Sequence, residues 1–308
     1  MYQAIANAAF LILAGVLWRR LRPFGTDADQ MRQSLTSLVY GFLLPALVLL
    51  VLWRAPLGVE ALQVAFVAAS CVLGGLVLAW AWFRLRKTSN PVLGTVLLAA
   101  GWGNFTYLGL PVLEGTLGEW ARGVAIQYDL FAATPLLLTL GILLASRLGG
   151  TAAPRGLLRE LVMVPPIWAA VAGVAFNLLG VPMNGWVQQL LEMLATGVVP
   201  LMLFSTGLAL RWAPGLRRRI QTVVPVVLIR LLLIPLLVLG LTLLLGMEGP
   251  LRTAVVLEAA MPSMVLGLVL CDRFGLDTHL YAEIVVLTTA LAALSLPAWF
   301  FCMGLIAS

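Results

Sequence analysis

A chain of 308 residues that is 62% hydrophobic and only 10% charged cannot cover a water-facing surface with charge, so lipid is the solvent it suits. Its net charge of +6 would fit a nucleic-acid partner, but the cations sort by loop and explain the excess without one, so no nucleic acid is expected. An unpaired backbone amide is costly in hydrocarbon, which leaves helices or closed barrels. The apolar runs lack the alternation of barrel strands, and the expected fold is an all-α polytopic membrane protein.

Apolar runs near 2–18, 34–53, 60–83, 91–113, 122–146, 161–180, 186–210, 221–246, 251–271 and 280–306 predict ten spans. The first is not read as a signal peptide, because its basic cluster, Arg19, Arg20 and Arg22, follows the apolar stretch instead of preceding it. With the N-terminus outside, the odd loops become cytoplasmic. They collect most of the 19 basic residues, including Arg84, Arg86 and Lys87, Arg147, Arg155 and Arg159, and Arg211 and Arg217 to Arg219. The even loops hold only Arg54, Arg122 and Arg252, which predicts an inner (plasma) membrane protein with both termini outside.

The fourth span carries Gly101, Gly103, Asn104, Thr106, Gly109 and Pro111, a run of helix breakers and hydrogen-bonding side chains at mid-bilayer depth. Proline removes a backbone donor and clashes with the preceding turn, so the helix is expected to break there. The ninth span has Met261, Pro262 and Ser263 at the matching depth. Leu93, Thr95 and Leu108-Gly109-Leu110 recur as Leu251, Thr253 and Leu266-Gly267-Leu268 at one offset of 158 residues, which sets Asn104 on Pro262. The ends of the second and seventh spans echo each other too, in Trp53-Arg54-Ala55-Pro56 and Arg211-Trp212-Ala213-Pro214. Two repeats, 1–150 and 151–308, are expected. An odd number of spans in each makes them inverted, a design of secondary transporters.

In that topology the second halves of the two broken spans point their N-termini toward the membrane midplane. The unsatisfied N–H groups and partial positive charge there suit a carboxylate. Asn104, Thr106 and Ser263 add side-chain donors, so the expected substrate is a small organic anion. Three ionisable residues lie inside spans, where they are costly and are expected to face the protein interior. Glu258, four residues before Pro262, and Asp129 are candidates for proton or sodium coupling or for structural hydrogen bonding. Arg230 is expected to pair with one of those acids or to snorkel, with contact to a substrate carboxylate as the other reading. Asn177 is expected to bridge helices, and Cys71, Cys271 and Cys302 to be packing residues.

Other chemistries are excluded by what is missing. The one lysine, Lys87, follows Arg86 and not the glycine of a phosphate-binding loop, and the one histidine, His279, rules out HExxH and multi-histidine metal sites. No metal or cofactor is expected and the chain is not read as an enzyme. A membrane-embedded enzyme using Asp129 or Glu258, or a sensor with a transporter-like fold, is the alternative.

Gly103-Asn104-Phe-Thr-Tyr-Leu-Gly109-Leu-Pro111-Val-Leu-Glu114, Pro165-Pro166-Ile-Trp168-Ala, and Ala260-Met261-Pro262-Ser263 followed by Glu283-Ile-Val-Val-Leu-Thr288-Thr289 resemble the motifs of auxin efflux carrier family transporters. The resemblance runs through nearly the whole chain. It implies a ten-span fold similar to bile-acid symporters and sodium/proton antiporters, with a scaffold part from spans 1, 2, 6 and 7 and a transport part from spans 3–5 and 8–10. Substrates such as malate, malonate or an auxin-like acid and a homodimer joined through the scaffold are implied with it. By the same resemblance Asn104 faces the substrate, and Pro111 and Pro262 are the helix-breaking prolines. The long central cytoplasmic loop of many plant members is missing, so their loop-based regulation is not carried over.

Overall fold

The computed structural model describes residues 2–55, 57–150, 164–210 and 216–307. Pro56, Arg155, Arg159 and Arg211 to Pro214, on which part of the loop-charge and repeat reading rests, lie outside the described residues. Helices cover all ten apolar runs. They are α1 (Tyr2–Leu21), α2 (Ala28–Arg54), α3 (Val59–Leu85), α4 (Asn90–Gly101), α5 (Leu110–Leu117), α6 (Ala121–Leu148), α7 (Pro165–Leu178), α8 (Gly185–Ala209), α9 (Arg219–Leu244), α10 (Gly249–Ala259), α11 (Gly267–Phe274) and α12 (Thr278–Ala307). Six of them, α2, α3, α6, α8, α9 and α12, are long and apolar enough to cross a bilayer. The α4–α5 and α10–α11 pairs divide the fourth and ninth runs into half-helices.

Proline sets the local irregularities. Wide π turns occupy Val39–Leu43, Phe105–Gly109, Asp129–Ala133 and Ile229–Leu233. Pro45, Pro111, Pro135 and Pro235 each follow two residues later. A proline cannot donate to the carbonyl four residues back and its ring crowds that oxygen, so the ladder slips to a wider register just before it. One freed carbonyl is recovered from a distance: Leu231 O, which Pro235 cannot reach, accepts from Trp299 Nε1 at 2.9 Å.

Two close helix pairs form one side of the molecule. α1 crosses α8, α2 crosses α7, and α2 also packs on α8. Glycine permits the approach: a Cβ on Gly15 would lie 2.2 Å from Phe204 O, one on Gly207 would lie 2.0 Å from Ile12 O, and one on Gly173 would lie 3.0 Å from Leu52 Cβ. Helices in lipid lack a hydrophobic drive to associate, so small residues and interhelical hydrogen bonds hold such contacts. Asn177, as expected, is a bridge. Its Nδ2 donates to Leu52 O, Trp53 O and Ala55 O at 3.1, 2.9 and 2.8 Å. Arg19 Nε does the same for Leu208 O of α8. The remaining helices pack around the paired interruptions, with α3 on α4, α6 and α9, and α12 on α4, α9, α10 and α11.

Candidate substrate site at the helix crossover

The interruptions meet. Between α4 and the π turn that leads into α5, Trp102, Gly103 and Asn104 leave the helical path, and Met261 to Met264 do so between α10 and α11. The two segments pair antiparallel at Gly103 and Ser263. Asn104 N donates to Pro262 O at 2.7 Å and Met264 N to Trp102 O at 3.1 Å. The extended backbone thus satisfies its polar groups across the gap, which burial demands. Side chains pin the crossing from outside: Ser263 Oγ donates to Ala99 O at 2.7 Å, Trp102 Nε1 to Ala133 O at 2.9 Å, and Tyr281 O–H to Met264 O at 2.9 Å.

Each break exposes two kinds of helix end. The first halves, α4 and α10, end in carbonyls that carry partial negative charge. Arg230, fully buried on the π turn of α9, serves both. Its Nε donates to Met261 O at 2.8 Å and its Nη1 reaches Ala100 O at 3.5 Å and Cys71 Sγ at 3.6 Å. The guanidinium also lies 5.1 Å from the Phe105 ring centroid. Arg230 therefore neither snorkels nor makes an ion pair among the described residues. The carbonyl ends of two half-helices offer a nearer, already fixed partner than any carboxylate. Its Nη2 has no hydrogen-bond partner and lies where a side chain at Gly103 would be, 2.2 Å from the place of its Cβ.

The second halves begin at Phe105 and Gly267 and present N-terminal N–H groups. Residues at the start of both, Phe105 to Tyr107 and Met264 to Leu266, line a cavity of about 70 Å³ together with Tyr40, Asn104, Asp129 and Thr134. Asn104 is 3% exposed and its Nδ2 has no partner. Its backbone O accepts from Leu108 N and Gly109 N, so the residue caps the turn while its amide stays free. Thr106 Oγ1 donates to Asp129 Oδ2, and Thr134 Oγ1 to Asp129 Oδ1 at 2.8 Å. Pro111 stands beyond this cavity, on a neighbouring one that includes Glu114 and Arg122. Pro262 and Ser263 belong to the backbone pairing and do not line the 70 Å³ cavity.

Glu258 is fully buried near the end of α10, and neither carboxyl oxygen has a hydrogen-bond partner. Glycine makes its room: a Cβ on Gly109 would sit 2.3 Å from Oε2. The structure brings Asn104, Thr106, Ser263, Arg230 and Glu258 to the crossover region, with Asp129 held on Thr106 at the cavity wall. The sequence did not reveal Tyr40, Thr134 or the seat that Cys71 gives Arg230. Pro45 and Pro135, read as sites of π turns, were the available signal for the first two.

A wider cavity of about 540 Å³ lies toward the C-terminal end of α2, with Arg54, Arg122, Gln127 and Glu192 on its walls. Tyr40, Leu44, Leu47, Val51 and Arg54, at helical spacing on α2, run from the crossover cavity to this one.

Among known proteins, residues 2–300 match the family described as Membrane transport protein. The chain is 31% identical over 302 residues to an uncharacterized transporter of Methanothermobacter thermautotrophicus, covering 96% of each chain. It is 25% identical over 283 residues to an uncharacterized transporter of Methanocaldococcus jannaschii, covering 90% of this chain and 91% of that one. The chain belongs to the membrane transport protein family, that of the auxin efflux carriers, and is a membrane transporter.

Proposed function

We propose that this protein is a secondary transporter of a small organic anion, a carboxylate such as malate, malonate or an auxin-like acid, working by alternating access around the crossover. One observation carries the reading: residues at the start of both second half-helices line a single cavity together with Asn104, whose buried amide nitrogen has no hydrogen-bond partner. Donors without acceptors in a buried place are costly, and an anion resolves the cost. Thr106, Pro111, Pro262, Ser263 and Arg230 shape and hold that site. Glu258, buried and without a hydrogen-bond partner, takes the coupling role for a proton or sodium, with Asp129 as second candidate. No other cofactor enters the proposal.

The same reading takes the chain as ten spans in two inverted repeats. Gly15 and Gly173, which open the two close helix pairs, stand at the offset of 158 residues already seen between the broken spans, and so do Arg19 and Asn177, which donate to carbonyls near the ends of the facing helices. α1, α2, α7 and α8 form the scaffold, through which two copies join, and the rest moves against it. Both termini lie outside the inner (plasma) membrane. A crossover cavity of about 70 Å³ is small beside ligand sites of about 300–1,000 Å³, so substrate entry requires this movement. Proteoliposomes containing the protein and supplied with labelled malate, malonate or indole-acetate under imposed proton or sodium gradients test the proposal. Saturable uptake of at least one acid is expected. No uptake of any carboxylate, zwitterionic ones included, would overturn it.

A further inference from the structure

The crossover cavity has two poles, and the anion reading uses only one. Asn104 Nδ2 and the N–H groups that open the Phe105 turn form the donor pole. Asp129 forms the other, one hydrogen bond away through Thr106.

The threonines hold this acid in place. Five other helical threonines, Thr95, Thr139, Thr196, Thr206 and Thr288, turn their hydroxyls back on the carbonyl four residues earlier. Thr106 and Thr134 instead give their hydroxyls to Asp129, one to each oxygen. Two donors on two oxygens match the ionised carboxylate, which only accepts. Among the described residues no cation pairs with Asp129; Arg230 sits beside Gly103 with Nε and Nη1 on Met261 O and Ala100 O and Nη2 unpartnered.

A bare carboxylate on the donor pole leaves Asp129 without a positive partner in a small, poorly solvated cavity, where an unpaired charge is costly. A substrate that brings a positive charge beside its carboxylate meets a complement at both poles. We infer that the substrate is a zwitterion of the α-amino acid type, its carboxylate on the half-helix N-termini and Asn104, its ammonium on Asp129. This rests on the crossover being the substrate site and leaves coupling to Glu258.

The test compares amino acids with the same acids lacking the amino group: leucine with isocaproate, phenylalanine with hydrocinnamate, aspartate with succinate. Binding is read as thermal stabilisation of the full chain in detergent, first at neutral pH in sodium-free buffer. At least one amino acid is expected to bind about tenfold or more tightly than its deaminated partner, the factor that one charge-assisted hydrogen bond supplies. Asp129→Asn should erase that preference, and Thr134→Val, which leaves the acid in place, should reduce it. Equal binding of the deaminated acids overturns the inference, as does binding of those acids that appears only when sodium is added or the pH lowered, since the positive charge would then be inorganic. Either result leaves the anion transporter standing. Failure of amino acids and carboxylates alike would overturn both readings, so the two failures are distinguishable.

Discussion

Two asparagines divide the molecule. Asn177, where α7 crosses α2, gives its amide to three backbone carbonyls, and the helices on that side approach so closely that glycine is required at the contacts. Asn104, at the crossover, gives its amide to nothing, and near it Arg230 Nη2 and both oxygens of Glu258 are also without partners. Both regions are buried and both depend on hydrogen bonding in place of hydrophobic drive. The first is complete as it stands. The second is incomplete, and in the proposed function a ligand of complementary chemistry completes it.

Substitutions on the two sides should separate, and on fold stability they rank in a definite order. Gly207→Leu should do most damage, because its Cβ would meet a backbone oxygen of α1 that cannot turn aside. A loss of about 3 kcal/mol or more is expected, read as a lower melting temperature or failure to accumulate. Asn177→Ala removes three interhelical hydrogen bonds and should lower stability by about 1–2 kcal/mol in detergent, with transport per folded molecule unchanged. Asn104→Ala should alter stability by less than about 0.5 kcal/mol, since its backbone bonds remain. It should weaken substrate binding by about 1.5–3 kcal/mol, the worth of a hydrogen bond to a charged group. Glu258→Gln breaks no hydrogen bond of the carboxyl and should leave the melting temperature unchanged or raised. Uptake by this variant should lose its response to a proton or sodium gradient, and an intact response would return Glu258 to a structural role.

Much of this contrast was legible before any coordinates. Long apolar runs marked the helices, because span length is a property of a single segment. The two breaks were legible because Gly101, Gly103 and Pro262 weaken their own helices, while Pro111 sets only the π turn that follows the break, and the matching of Asn104 to Pro262 by offset corresponds to a hydrogen bond between them. What stayed hidden depends on contacts between segments. Arg230 was expected at a carboxylate or at the membrane surface, and it lies on carbonyls because both half-helix ends converge on α9, which no single run encodes. Thr134 carried no signal in the sequence, and it is the π turn before Pro135 that sets its hydroxyl on Asp129. Gly109 likewise gave no hint that it makes space for Glu258.

The two asparagines also supply the most direct test. Asn104→Ala and Asn177→Ala, purified in parallel, would be measured for melting temperature and for affinity toward whichever acid the wild-type protein binds. The account predicts a crossed result: Asn177→Ala melts lower with affinity intact, and Asn104→Ala melts like wild type with affinity down tenfold or more. An Asn104→Ala protein that melts lower and binds as tightly as wild type would contradict the claim that the crossover is left open for a substrate.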